Sequence, residues 1–177
     1  MSGKRLFLID GSALAYRSYY AFVQNPLKTK RGEHTSVVYG FATTILRILS
    51  KEQPTHLAVV LDSKEPTFRH KMYADYKANR PSMPEEMVEQ LPRLDELLRV
   101  MDVVTLRKPG YEADDLIATA AVKAGQIGWE VVIVTGDKDL FQLVDEKTRV
   151  LNLKKVSEAG EWIDREAVRA KMGVYPE

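Results

Sequence analysis

The sequence predicts an α/β fold with a mainly parallel central sheet flanked by helices. Three short apolar runs are typical of buried parallel strands, and amphipathic segments separate them. The chain has 177 residues, enough for one domain with its own core, so we expect a single domain over residues 1–177. Each of the three runs leads into aspartate, at Asp10, at Asp62 and at Asp137-Lys138-Asp139.

Four elements are predicted in the first part of the chain. The apolar runs before Asp10 and Asp62 predict the strands, and apolar residues at helical spacing predict the helices. Pro26 and Gly32 interrupt the polar stretch between the two helices, which predicts a loop. The expected strands cover residues 5–10 and 56–62, and the expected helices cover residues 12–22 and 36–51.

The second part of the chain continues the alternation. Pro81 and Pro84 precede a long helix with leucines on one face, and Gly173 ends the last helix. The acidic stretch that begins at Glu112 precedes another helix, and the apolar run from Val131 predicts another strand. The expected helices cover 85–101, 113–125, 139–143 and 164–172, and the expected strands cover 103–106, 130–135 and 150–153.

Composition limits the class of protein. Hydrophobic residues make up 45% of the chain and charged residues 29%, as in ordinary globular domains. Cysteine is absent, which excludes disulfides and thiolate metal sites. No apolar run is long enough for a membrane span, so we expect no membrane partner. The lack of cysteine fits a cytoplasmic location. We also expect a monomer.

Charge is distributed unevenly along the chain. Residues 1–80 carry 13 lysines and arginines against 6 aspartates and glutamates, whereas residues 81–177 carry 13 against 19. The basic half favours a polyanionic partner. Chance and ordinary solvated surface would explain the same imbalance about equally well.

Seven acidic residues are the candidates for a metal site. Parallel strands end at one edge of a sheet, so acids at strand ends should lie together, and several carboxylates need cations between them. Each acid alone would suit a turn or a helix N-terminus, but the set favours Mg²⁺ or Mn²⁺. On an ideal helix Asp114 would join the site only if the first turn were distorted. The candidates are Asp10, Asp62, Glu112, Asp114, Asp115, Asp137 and Asp139.

Seven acids exceed the needs of one Mg²⁺ ion, so we expect two ions. A pair of ions about 4 Å apart suits in-line attack on a phosphodiester. Residues 64–80, here called the basic segment, carry cations interleaved with aromatic rings, which suits phosphates and unstacked bases. An ordinary solvated helix would have a similar composition. The expected nucleic-acid contacts are Arg69, Lys71, Tyr73, Tyr76, Lys77 and Arg80.

Three other classes of protein fit less well. A haloacid-dehalogenase-like phosphatase needs a second aspartate two residues after Asp10, where this chain has Ser12. A Toprim-type nuclease needs a glutamate after its first strand. A non-catalytic nucleic-acid-binding domain would explain the basic segment and leave the acids unexplained.

Several motifs, in order along the whole chain, resemble the 5′-nuclease domain of bacterial DNA polymerase I, in the flap endonuclease superfamily. The resemblance implies a PIN-like fold and a divalent-metal-dependent 5′→3′ exonuclease and 5′-flap endonuclease. The motifs are Phe7-Leu8-Ile9-Asp10-Gly11-Ser12, Ala15-Tyr16-Arg17, Val38-Tyr39-Gly40-Phe41, Phe68-Arg69-His70, Tyr76-Lys77-Ala78-Asn79-Arg80, Pro109-Gly110-Tyr111-Glu112-Ala113-Asp114-Asp115 and Thr135-Gly136-Asp137-Lys138-Asp139-Leu140.

The resemblance also implies roles for individual residues. Asp10, Asp62, Glu112 and Asp114 would hold the first metal ion, with Asp10 and Asp62 also counted as catalytic. Asp137 and Asp139 would lie toward the second ion, with Asp115 nearby. Residues of about 64–95 would form a helical arch over the 5′ strand, in which Lys77 and Arg80 would contact the scissile phosphate and act in catalysis.

The implied partners are DNA and RNA. The substrates would be a 5′ flap, a nicked or primer-bearing duplex and an RNA primer, in the nucleoid of a bacterium. In the family, a helix–hairpin–helix region and a polymerase domain follow the nuclease part, and we expect both to be absent here. We therefore expect weak, Mn²⁺-favoured cleavage from this chain alone.

Overall fold

A six-stranded sheet forms the centre of the computed structural model, which describes residues 3–73, 75–79, 81–153 and 160–176. The strand order is β3-β2-β1-β4-β5-β6, and only the β5–β6 pair is antiparallel. The first strand, β1, therefore lies in the middle of the sheet between β2 and β4. The strands are β1 Arg5–Asp10, β2 His56–Val60, β3 Val104–Leu106, β4 Glu130–Val134, β5 Thr148–Asn152 and β6 Glu161–Ile163.

Helices cover both faces of this sheet, which confirms the predicted α/β class. Phe7 and Ile9 of β1 pack against α1, α2, α4 and α5, whereas Leu8 packs on the opposite face with α6, α7 and a short 3₁₀ helix. Alternate residues of a central strand thus enter two separate cores. The helices are α1 Gly11–Ala21, α2 Ser36–Lys51, α3 Phe68–Met72, α4 Glu85–Val88, α5 Leu91–Val100, α6 Ala113–Gln126, α7 Arg165–Met172 and the 3₁₀ helix Asp139–Leu143.

The prediction and the structure differ at three elements. The single helix expected over 85–101 is two helices, α4 and α5, because Pro92 lacks an N–H and its ring cannot follow a continuous helix. The short helix α3 and the antiparallel edge strand β6 were not predicted, since five and three residues are too few to display a period. The remaining predicted helices and strands agree with the structure to within two residues at each end.

Part of the segment expected to form the arch packs into the core. Met87 and Leu94 are buried in the core with α2, and the Gln90 side chain accepts a hydrogen bond from the Val37 N–H at 2.8 Å. The arch itself remains a prediction. Among the described residues, no helix is both long enough and apolar enough to cross a membrane.

Candidate metal and phosphodiester site

Asp10 is the buried centre of the candidate site. It ends β1 and caps α1, where its Oδ1 accepts a hydrogen bond from the Ala13 N–H at 2.9 Å. The Thr135 hydroxyl, at the end of β4, donates to Oδ2 at 2.7 Å. Burial raises the pKa of Asp10, and the nearby charges of Asp62 and Asp137 raise it further, against the lowering effect of these two hydrogen bonds.

Asp62 connects the end of β2 to the start of α6. Its Oδ1 accepts from the Ala113 N–H at 2.8 Å, and its own N–H donates to the Ser12 hydroxyl at 3.2 Å. Ser12 lies in the first turn of α1. The starts of α1 and α6 therefore meet at the carboxyl edge of the sheet, as expected for the ligand side of an open α/β fold.

Asp114 completes a group of mutually repelling carboxylates. Desolvation raises its pKa to about 6, and the charges of Asp10, Asp137, Asp62 and Glu112 add to the rise. The distorted first turn that Asp114 was expected to need is absent, because α6 is helical from Ala113. We call these five residues the acidic cluster: Asp10, Asp62, Glu112, Asp114 and Asp137.

Glu112 differs from the rest of the acidic cluster because side chains of the basic segment contact it. Lys77 Nζ donates to Oε1 at 2.6 Å, and the Tyr76 hydroxyl donates to Oε2 at 3.1 Å. Arg69 Nη1 lies 3.5 Å from Oε2. Three residues predicted to contact nucleic acid thus lie against a carboxylate predicted to bind metal.

Asp115 pairs with Arg69, which also approaches Glu112. Arg69 Nη1 and Nη2 donate to Asp115 Oδ2 and Oδ1, both at 2.7 Å. This pair lowers the pKa of Asp115 and raises that of Arg69. Asp115 and Arg69 are therefore partners of each other in this structure.

The remaining predicted residues are Asp139, Lys71, Tyr73 and Arg80. Asp139 is exposed at the start of the 3₁₀ helix, and its N–H donates to Asp137 Oδ1 at 2.9 Å. Lys71 is exposed in α3, and Tyr73, the residue directly after α3, is 63% exposed. Arg80 is outside the described residues. The roles of these four residues remain predictions.

Sequence reasoning missed three side chains that build the site. The Thr135 hydroxyl donates to Asp10, and the Ser12 hydroxyl accepts from the Asp62 N–H, as described above. Arg17 lies half-buried behind the acidic cluster. A Cβ at Gly136 would collide with the Arg17 guanidinium, so glycine allows this approach. Burial lowers the pKa of Arg17, and the charge of Asp10 opposes that change. The sequence signals were that Thr135 directly follows β4, that Ser12 lies two residues after β1, and that all three residues belong to the motifs named above.

The donor set fits hard divalent cations. Every side chain of the acidic cluster offers carboxylate oxygen, the ligand type of Mg²⁺ and Mn²⁺. Burial is the main cause of the raised pKa values of Asp10 and Asp114, and the neighbouring negative charges add to it, so a bound cation would offset the repulsion among these carboxylates. In the described ranges no three acidic or histidine side chains already stand in the arrangement of metal ligands. Part of the reason is visible at Glu112, whose oxygens are engaged by Lys77 and Tyr76.

A comparison with protein families identifies the family to which this chain belongs. Residues 5–173 match the family described as "5′-3′ exonuclease, N-terminal resolvase-like domain". This chain belongs to that family. DNA polymerase I of Bacillus caldotenax is 43% identical over 174 residues, which are 98% of this chain and 20% of the polymerase. A 5′-3′ exonuclease of Aquifex aeolicus is 41% identical over 174 residues, which are 98% of this chain and 58% of the exonuclease.

Solved structures have the same fold. A phage T5 5′-exonuclease with bound zinc ions has a TM-score of 0.77 at 19% identity, over 97% of this chain and 62% of the exonuclease. A bacteriophage T5 flap endonuclease in complex with DNA and metal ions has a TM-score of 0.70 at 19% identity, over 97% of this chain and 61% of that protein. The chain thus spans about a fifth of the polymerase relative and under two thirds of these shorter relatives.

Proposed function

We propose that this family member is the catalytic part of a divalent-metal-dependent 5′→3′ exonuclease and 5′-flap endonuclease. Its substrates would be the phosphodiesters of DNA flaps, nicked or primer-bearing duplexes and RNA primers. The observation that carries the proposal is the convergence of Asp10, Asp62, Asp114 and Asp137 at the ends of neighbouring strands and the start of α6, with mutual charge repulsion. The bacterial polymerase I relatives support a cytoplasmic, nucleoid-associated location and fusion to a polymerase domain.

We propose the metal ligands that the family resemblance implies, most of which converge in the acidic cluster. Asp10, Asp62, Glu112 and Asp114 would hold the first Mg²⁺ or Mn²⁺ ion, and Asp137 with Asp139 would contribute to a second. When bound, such ions lower the pKa of an attacking water and offset charge on the phosphate. Among the protein groups, Asp10 is held in place by Thr135 and by the start of α1. Lys77 would leave Glu112 and donate to the scissile phosphate.

The decisive experiment compares Asp62→Asn with Asp95→Asn. Asp62 Oδ1 accepts a hydrogen bond at the start of α6. Asp95 is not a predicted metal ligand and makes an exposed ion pair with Arg107 at 3.2 Å. Mn²⁺ binding is followed by calorimetry, and cleavage is followed with a labelled 5′-flap DNA in Mn²⁺, with and without chelator. We expect Asp62→Asn to lose both Mn²⁺ binding and cleavage, and Asp95→Asn to keep both.

The same experiment separates catalysis from simple binding. A non-catalytic or Toprim-like metal-dependent nucleic-acid-binding domain would bind the flap and leave it intact, or would keep Mn²⁺ binding in Asp62→Asn. Either result, obtained with correctly folded protein, would contradict the proposed nuclease. A longer protein that includes the segment following residue 177 in the relatives is expected to cleave faster and with greater flap selectivity, because more phosphate contacts position the DNA.

A further inference from the structure

The contact between Arg69 and Asp115 joins the basic segment to the start of α6. Two parallel hydrogen bonds, both 2.7 Å long, match the planar guanidinium to the carboxylate across 46 residues of sequence. Asp115 Oδ2 also accepts the Glu112 N–H at 3.0 Å. Both carboxylate oxygens of Asp115 are therefore already engaged within the protein.

Other contacts reinforce this connection. The Phe68 N–H donates to the Gly110 carbonyl at 2.9 Å, and the Phe68 ring lies 5.8 Å from that of Tyr111. The Arg69 guanidinium lies over the Phe68 ring at 4.5 Å. Arg69 thus touches both the helix that carries it and the helix that carries Asp115. These interactions dock α3 on the loop that leads into α6.

The docked helix sets the position of the residues that follow it. Tyr76 and Lys77 come shortly after α3, and both reach Glu112, which is the residue immediately before α6. Arg69 itself lies 3.5 Å from Glu112 at the edge of this contact. A shift of α3 on α6 would therefore carry Lys77 away from the acidic cluster.

We propose that Arg69 and Asp115 are a positioning pair, which holds the basic segment on α6 so that Tyr76 and Lys77 meet Glu112. Neither residue then binds a metal ion or a phosphate. This assignment differs from the sequence-based predictions of a DNA-contacting Arg69 and a metal-binding Asp115. It rests on the proposed function for its catalytic consequence, since Lys77 matters only if the acidic cluster is the reaction site.

The test exploits the difference between arginine and lysine. Lysine keeps the charge that attracts a phosphate but cannot form the two-pronged contact with a carboxylate. We expect Arg69→Lys to behave like Arg69→Gln, with faster amide exchange at Phe68 and Tyr73 in metal-free protein. With saturating flap DNA and Mn²⁺, single-turnover cleavage should fall about tenfold or more in both variants, since misplacement of a catalytic group is costly.

Asp115→Asn completes a double-mutant cycle. If the two residues act as one unit, Asp115→Asn should reproduce the effects of Arg69→Gln, and the double variant should be no worse than either single one. Mn²⁺ calorimetry should count the same number of bound ions in all three variants as in the unmodified chain. Arg93→Gln is the matched control, because Arg93 makes an exposed pair with Glu96 on α5 and should change none of these measurements.

Three results would overturn the positioning pair. They are a normal cleavage rate in Arg69→Lys, loss of a bound Mn²⁺ ion in Asp115→Asn, and additive effects in the double variant. Failure of the proposed function is distinguishable, because it appears as absence of Mn²⁺ binding or cleavage in the unmodified chain. In that case amide exchange at Phe68 and Tyr73 still tests whether the pair docks the segment.

Discussion

Lys77 Nζ lies 2.6 Å from Glu112 Oε1, so a protein cation occupies a carboxylate that the proposed first metal ion needs. The Lys77 side chain is 29% exposed and that of Glu112 only 10%. The two charges therefore meet at the boundary between solvent and the buried acidic cluster. Binding of a divalent ion and release of Lys77 should be coupled, because both compete for the same oxygen.

Lys77→Met tests this competition. Removal of the lysine charge should tighten Mn²⁺ binding about fivefold, since the net contribution of a partly exposed ion pair is on the order of 1 kcal/mol. Cleavage should fall about 100-fold, because the variant also loses a donor to transition-state charge. Calorimetry and single-turnover cleavage measure the two effects. Lys123→Met removes an exposed lysine near the end of α6 and should leave both values unchanged. Equal Mn²⁺ affinity in Lys77→Met would disprove the competition.

Asp114 should make the metal-free protein less stable as the pH rises. Its pKa is about 6 in the folded state against 3.8 in a model peptide, so the folded state binds more protons between these values. Its stabilising contribution is complete below pH 3.8 and is lost as the pH rises through 6. Asp114→Asn should therefore stabilise the metal-free protein above pH 6 by about 1–2 kcal/mol, a range that allows for solvent screening. Urea unfolding at pH 5 and pH 7.5 checks this difference, and a variant less stable than the unmodified protein at pH 7.5 would contradict it.

The raised pKa of Asp114 also predicts that protons are released when a metal ion binds. At pH 6 about half of the Asp114 side chains carry a proton, which a coordinated ion must displace, so Mn²⁺ binding should release about half a proton there. Calorimetry in two buffers of different ionisation enthalpy measures the number directly. Release should become small at pH 8, where Asp114 is already ionised. Equal release at pH 6 and pH 8 would exclude Asp114 as the source.

Thr135→Val should weaken the centre of the site. The Thr135 hydroxyl donates to Asp10 Oδ2 at 2.7 Å and accepts from the Asp137 N–H at 3.0 Å, and the residue is buried. Valine has a similar shape but leaves both groups without this partner, which should cost about 1–3 kcal/mol of unfolding free energy. Thr119→Val removes a hydroxyl bonded to a helix carbonyl at an exposed position and serves as the control. Equal stability of the two variants would contradict this role for Thr135.

The sequence predicts where the site lies on the sheet better than it predicts the side-chain contacts within the site. Asp10 and Asp62 follow apolar runs, so their placement at one sheet edge follows from strand order. The partners of Arg69 and Lys77 could not be predicted, because Asp115 and Glu112 are 46 and 35 residues away and any exposed acid would satisfy the same charge rule. The face of α6 that carries Asp114 was also misjudged. Asp114 reaches the acidic cluster from a regular first turn of α6, because Glu112 is the extended residue before the helix.

Two glycines provide a matched test of the packing that supports the site. Gly40 of α2 faces Ser18 of α1 so closely that an added Cβ would collide with the Ser18 side chain, whereas an added Cβ at Gly125 of α6 meets nothing within 4 Å. Ser18 cannot easily move, because it is fully buried and its hydroxyl donates to the Leu14 carbonyl at 2.7 Å.

Gly40→Ala should therefore force α1 and α2 apart and destabilise the protein by about 1–3 kcal/mol, although alanine favours the helix. Gly125→Ala should stabilise it by about 0.5–1 kcal/mol, because only the gain in helix propensity remains. Urea unfolding of the metal-free variants measures both values. Because Asp10 caps α1, Gly40→Ala should also weaken Mn²⁺ binding, whereas Gly125→Ala should not. A stabilised Gly40→Ala protein would contradict the predicted collision between α1 and α2.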